Sequence, residues 1–233
     1  MTAIFSALHG ARWRRNGLPC WLALLLMLSP GLEADWDFVA IDNSTKRLYG
    51  VATPQAQRRI DDWAALLKNP PDGDVRETLR RVNQFFNKRL EFKDDIVVWR
   101  QQDYWATPIE FLRKGAGDCE DYAIAKYITL REMGVPASQL RITYVKALQL
   151  NQAHMVLTWY PTPNAIPLVL DNLKDAILPA TQRPDLLPVY SFNGEGMWLP
   201  QAGSNKRVGD SKRLSRWQDL LTRMRAEGFV INE

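Results

Sequence analysis

The chain has 233 residues, a formal charge of +4 and 46% hydrophobic content, with only two cysteines and two histidines. Those counts exclude a disulfide-stapled scaffold, a four-ligand zinc finger, a Cys-x-x-Cys redox pair and, once a leader is removed, a two-histidine metal site. Residues 12–28 place Arg12, Arg14 and Arg15 ahead of an apolar run from Leu18 to Leu28, followed by Ser29-Pro30-Gly31. This is the order of a secretory leader, and the run is well short of the ~20 residues a membrane-spanning helix needs.

We read residues 1–34 as a signal peptide cut after Ala34, with an uncleaved anchor as the alternative. The flanks of Arg14-Arg15 fit a twin-arginine signal poorly, and Cys20 heads the apolar run instead of closing it, which argues against lipid attachment. Removing the leader takes away His9, Cys20, three arginines and one glutamate, so the net charge falls to +2 and nucleic-acid binding loses its main support. The remaining 35–233, roughly 200 residues, suffice for one domain. Cys119 and His154 are then its only cysteine and histidine.

A helical half is expected over about 53–134. Thr53-Pro54 opens a helix with Ile60, Trp63, Leu66 and Leu67 on one face, ended by Pro70-Pro71. Asp72 or Asp74 starts a second, with Val75, Leu79, Val82, Phe86 and Leu90 at helical spacing. Asp95 to Trp99, short and β-branched, reads as an extended connection. Thr107-Pro108-Ile109-Glu110 is a capping box with proline at the first helical position, and Gly115 and Gly117 end the short helix it launches. A longer helix runs from Cys119 to Met133, its apolar stripe formed by Ala123, Ile124, Tyr127 and Leu130, and Gly134 stops it.

The period changes in a sheet half over about 140–200. Strands are expected at Arg141–Ala147, His154–Tyr160, Ile166–Asn172 and Val189–Phe192. An amphipathic helix over about 211–226 turns Leu214, Trp217, Leu220 and Leu221 inward. Lys206, Arg207, Lys212 and Arg213 read as a solvated basic loop. Helices followed by antiparallel strands make an α+β fold.

Chemistry concentrates at Gly115-Ala116-Gly117-Asp118-Cys119-Glu120-Asp121. The glycines permit a tight turn, and Cys119 lands in the first turn of a helix. Unpaired N–H groups and the helix dipole there favour a thiolate, the form a cysteine nucleophile needs. The bland alternative, a small buried apolar residue, fits poorly between Asp118 and Glu120. His154 is the one available base. If the turn between its strand and the next is centred between Thr162 and Pro163, Asp171 faces His154 directly and can orient it. Asn172 takes that place if the register slips by one residue.

Asp118, Glu120 and Asp121 allow two readings. Acids complement a helix N-terminus, with Asp118 as N-cap, or three oxygen-bearing side chains bind a hard cation such as calcium.

The run Gly117 to Ala123, with Trp105-Ala106-Thr107-Pro108 before it and His154 and Asp171 after it, resembles the bacterial transglutaminase-like cysteine proteinases, in their periplasmic adhesin-protease branch. The resemblance covers roughly residues 53–200. It implies a papain/transglutaminase-like fold, its nucleophile at a helix N-terminus packed on an antiparallel sheet. It also implies a triad of Cys119, His154 and Asp171, and calcium bound through Asp118, Glu120 and Asp121. The implied substrate is a large surface adhesin cut near its N-terminal region at a paired-alanine site, with release from biofilm. The implied inhibitor is the periplasmic domain of an inner-membrane cyclic-di-GMP receptor. Acyl transfer by the same thiol, or a catalytically silent module held by a membrane receptor, are the alternatives.

Overall fold

Residues 36–71, 73–201 and 204–231 are described by the structure, a computed structural model. The leader read over residues 1–34 lies outside them. Helices α1 (Phe38–Tyr49), α2 (Pro54–Lys68) and α3 (Val75–Arg89) come first. Each begins on a side-chain cap: Asp37 accepts from the Val39 and Ala40 N–H groups, Thr53 from Ala56, and Asp74 from Arg76. These donors have no partner within the helix, which is why Ser, Thr, Asp and Asn gather there.

Strand β1 (Glu91–Phe92) pairs in parallel with β2 (Ala116–Gly117), and between them lie α4 (Asp95–Val98) and α5 (Pro108–Lys114). Helix α6 (Cys119–Glu132) follows at once. The remaining strands are β3 (Leu140–Ala147), β4 (Gln152–Trp159), β5 (Leu168–Leu170), β6 (Leu178–Pro179), β7 (Leu186–Asn193), β8 (Gly196–Gln201) and β9 (Ser204–Gly209), before α7 (Ser215–Ala226). They form one sheet in the order β6-β5-β4-β3-β7-β8-β9, with every neighbouring pair antiparallel. The fold is α+β, as the sequence implies.

Helix α6 is the centre. Every residue from Asp121 to Leu130 is buried, so the apolar stripe expected there is in fact a helix covered on all sides. It packs on β4 and β3 and against α3 and α5. Leu140, Ile142, Met155, Leu157 and Leu170 supply the sheet's side of this core, while Val145, Val156 and Val169 form a smaller cluster.

Three expectations need correction. Asp95–Val98 is a helical turn, closed by the Trp99 N–H on the Asp95 carbonyl at 2.7 Å. Ile96 and Val97 are exposed, so their strand preference has no sheet face to serve. The β4–β5 register also differs, since Leu157 pairs with Leu170 and Trp159 with Leu168. The turn is therefore centred between Pro163 and Asn164, one residue later than expected, with Ile166 and Pro167 left outside β5. This displaces the pairing by two residues. Asp171 continues the register opposite Val156, and His154 lies on the same side, diagonally across. Finally, Lys206 and Arg207 belong to β9 and not to a loop, although they are solvated.

The terminal helices meet at a buried polar node. Glu227, fully buried, accepts hydrogen bonds from the Tyr49 hydroxyl at 2.9 Å and the Thr107 hydroxyl at 2.6 Å. Arg223 from α7 reaches Glu110, the Tyr104 hydroxyl and the Trp105 carbonyl. Burial, with Glu110 nearby, pushes the Glu227 carboxyl up to about 8. A raised folded-state pKa means that the unfolded chain loses this proton first, so Glu227 lowers stability progressively from its ordinary value of 4.5 to about 8. Glu227→Gln should gain stability relative to the parent as pH rises from 5 to 8.5. Urea unfolding at both pH values measures it; a constant difference would show that the carboxyl ionises normally.

Candidate active site

The turn ahead of Cys119 is built by two glycines with different tasks. Gly115 caps α5 at φ 73°, the left-handed region where a side chain is strained. Gly117 has no such φ, but a Cβ there would collide with the Asp121 carboxylate and lie 2.8 Å from the Phe111 ring. The β1–β2 pairing fixes this turn from outside, with the Lys93 N–H on the Gly117 carbonyl at 2.9 Å. Asp118 is extended at the N-cap position, and Cys119 begins α6.

Asp121 holds the backbone around the thiol. Its Oδ1 accepts the Ala106 N–H at 2.8 Å and its Oδ2 the Asp118 N–H at 3.3 Å. It is fully buried and therefore supports the site from beneath.

Cys119 and His154 line one cleft of about 540 Å³ with Asp118, Glu120, Phe92, Trp105, Met155 and Tyr190 among its other walls. His154 Nε2 lies 2.8 Å from Asp171 Oδ1, and both residues are buried. With Nε2 engaged, Nδ1 is the ring nitrogen left to exchange a proton in the cleft. Asp171 Oδ1 also accepts the Leu173 N–H at 3.0 Å, and its Oδ2 meets Arg183 Nη2 at 2.7 Å. Burial alone would raise this carboxyl, but the His154, Leu173 and Arg183 hydrogen bonds outweigh it and bring it down to about 2. The diagonal placement suffices because about 7–8 Å separates such backbone positions, a gap the imidazole and carboxylate span together. Asn172, the alternative partner, makes no such contact with the ring among the described hydrogen bonds.

The expected depression of the Cys119 thiol is not what the chain alone produces. Its Sγ contacts Glu120 Oε2 at 3.1 Å. Burial and the Glu120 and Asp118 carboxylates push its pKa well above the ordinary value, while the Met155 N–H acts the other way. Helix-terminus stabilisation of a thiolate is outweighed here by burial and close negative charge.

The same acids are crowded among themselves. Asp95, Asp118 and Asp121 each offer an oxygen within 4.8 Å of the others, and Asp95, Asp103 and Glu120 form a second such group. Burial and neighbouring carboxylates hold Asp118 far above the carboxylate range, and burial brings Asp95 up to about 6. Asp95 Oδ1 and Asp118 Oδ1 are buried without a hydrogen-bond partner among the described residues. Unpaired oxygens converging from several carboxylates fit a hard cation. Asp118, Glu120 and Asp121 share no one group: Asp118 joins Asp95 and Asp121 in the first, and Glu120 joins Asp95 and Asp103 in the second. Asp95 and Asp103 join them from the α4 region, where no local sequence signal marks them, and Arg183 was likewise missed.

The model of the bacterial transglutaminase-like cysteine proteinase (BTLCP) family matches residues 56–193. Legionella pneumophila LapG is similar at 45% identity over 79% of this chain and 97% of its own, with a TM-score of 0.68. Its EGTA-treated form gives 46%, 79%, 97% and 0.69, and its calcium-bound form 44%, 79%, 98% and 0.67. No curated protein matches.

The Gly117 turn offers a direct test of the site's foundation. Gly117→Ala forces the Asp121 carboxylate or the Phe111 ring to move, and overpacking of this kind costs about 1–3 kcal/mol. Chemical denaturation should show that loss. Parent-like stability would mean that the turn relaxes without displacing Asp121.

Proposed function

The chain belongs to the bacterial transglutaminase-like cysteine proteinases, and on that footing we propose that it is a periplasmic, calcium-dependent cysteine endopeptidase. Its substrate in this reading is the N-terminal region of a large cell-surface adhesin, and its cutting releases cells from biofilm. The observation that carries the enzymatic part is the placement of the lone described cysteine and histidine on one cleft, with the histidine's far nitrogen held by a buried carboxylate at 2.8 Å.

Cys119 Sγ attacks the scissile carbonyl carbon, and His154 Nδ1 takes the thiol proton. The tetrahedral intermediate collapses as His154 passes that proton to the leaving amine, leaving an acyl-enzyme that water hydrolyses by the same route in reverse. Asp171 fixes the ring's tautomer and balances the imidazolium. The Cys119 backbone N–H, at the free end of α6, suits the developing oxyanion.

Asp95, Asp118 and Glu120 would hold calcium, with Asp103 at the rim and Asp121 supporting the turn beneath. Bound there, the ion supplies the positive charge that lets these carboxylates ionise beside the thiol. The calcium-bound and EGTA-treated LapG structures support this choice of ion. The periplasmic location rests on the leader reading. Restraint by the periplasmic domain of an inner-membrane cyclic-di-GMP receptor rests on family resemblance.

Cys119→Ala should abolish cleavage of the adhesin's N-terminal region while leaving the circular dichroism spectrum and melting curve intact; residual cutting by that variant would overturn the assignment. EGTA should stop the parent enzyme and excess calcium restore it. Asp95→Asn should raise the calcium concentration needed for half-maximal cutting by about tenfold or more, since even the groups behind the ligands of a metal site shift affinity by about 10–100-fold. An unchanged calcium requirement would remove Asp95 from the ligand set.

A further inference from the structure

We infer that Arg183 is a positioning residue: its guanidinium fixes the plane and the charge of Asp171, and through Asp171 the orientation of His154. The inference rests on the reading of Cys119, His154 and Asp171 as a triad.

A buried carboxylate that touches only an imidazole has two ways to fail. It can rotate about its Cβ–Cγ bond, or it can take a proton and become neutral, because burial disfavours its charge. Asp171 is prevented from both. His154 Nε2 and the Leu173 N–H occupy Oδ1, while Arg183 Nη2 occupies Oδ2 at 2.7 Å. Rotation would break contacts at both oxygens, and the one at Oδ2 is to a permanent cation.

Arg183 is itself immobilised. It is only 3% exposed. Its Nε and Nη2 form a fork on the Asp185 carboxylate, at 3.0 Å to Oδ1 and 2.7 Å to Oδ2 respectively. Its backbone N–H bonds to the Ala180 carbonyl at 3.0 Å, and its carbonyl accepts the Leu186 N–H at 3.1 Å. The planar guanidinium can therefore serve two acids at once, which a lysine ammonium at the same place cannot do with the same geometry. Lys126 makes the contrast. It is a fully buried amine whose burial brings its pKa down to about 7, and its Nζ has no hydrogen-bond partner among the described residues, so it gives Asp171 neither a permanent charge nor a direction.

The rival account makes Arg183 a clamp that joins the end of β5 to the start of β7 and nothing more. A double-mutant cycle separates the two. With the full chain in calcium, cutting the adhesin's N-terminal region, Arg183→Met should lower kcat by about 10–100-fold, the scale of a slight misplacement of catalytic groups. KM should stay within twofold, and Arg183→Lys should recover only part of the loss. In an Asp171→Ala background, Arg183→Met should change kcat less than twofold. Alkylation of Cys119 by iodoacetamide, which needs no substrate, should slow in both Arg183→Met and Asp171→Ala. An unchanged kcat and alkylation rate in Arg183→Met would overturn the inference, as would an equal fold-loss in both backgrounds. Should Arg183→Met lose its cooperative melting transition, Arg183→Lys, which keeps the charge and loses the fork, carries the same cycle. Cutting by Cys119→Ala would instead defeat the triad reading, so the two failures are distinguishable.

Discussion

A helix buried on every side can show only its ends to solvent, and α6 is such a helix. Its side chains from Asp121 to Leu130 are committed to the core between the sheet and the neighbouring helices. The chemistry must therefore sit where α6 begins. Cys119 occupies that first position, and the strand that carries His154 is the one α6 lies against. The distance between thiol and imidazole is thus set by the packing of a helix on a sheet, the most rigid contact such a fold offers. Strands β1, β3, β4 and β7 and the intervening loops supply most of the rest of the cleft, and both reacting groups sit on regular elements.

Around that point the charges divide into two territories. On the side of the α6 turn, Asp95, Asp118, Glu120 and Asp121 gather more negative charge than a buried site tolerates without a counter-ion. On the side of β5, Asp171 is matched by Arg183 and lies in the field of Lys126. The first territory is left incomplete by the chain and the second is completed by it. In the proposed reading, the second territory is a permanent acid–base arm, and the readiness of the thiol depends on what occupies the first.

Much of this was legible along the chain because it is local. The capping box at Thr107 and Glu110 forms as its spacing requires, with the Glu110 N–H on the Thr107 hydroxyl at 3.1 Å. The Gly-Ala-Gly turn places Cys119 at a helix start. The expected hairpin register places Asp171 opposite His154; the observed one is displaced by two residues, and the pair still shares a face because side chains alternate with a period of two. A slip of one would have pointed to Asn172. What was not legible is non-local. Asp95 meets Asp118 across an intervening helix, and Arg183 reaches Asp171 from a turn beyond β6. The strand-like composition of Asp95–Val98 also misled, because β-branched residues follow their preference only where a sheet is there to receive them.

The polar node where α7 meets the segment before α5 carries a consequence for the order of assembly. The Tyr49 and Thr107 hydroxyls meet on the buried Glu227, and Arg223 grips Tyr104, Trp105 and Glu110 from more than a hundred residues away. Contacts of such separation close late, after the loops between them have been ordered. Until α7 is in place, the Trp105-Ala106 segment lacks its clamp, although the cysteine, the histidine and Asp171 all lie elsewhere in the chain. The segment that gives Asp121 its Ala106 N–H is thus completed by a helix that carries none of those three residues.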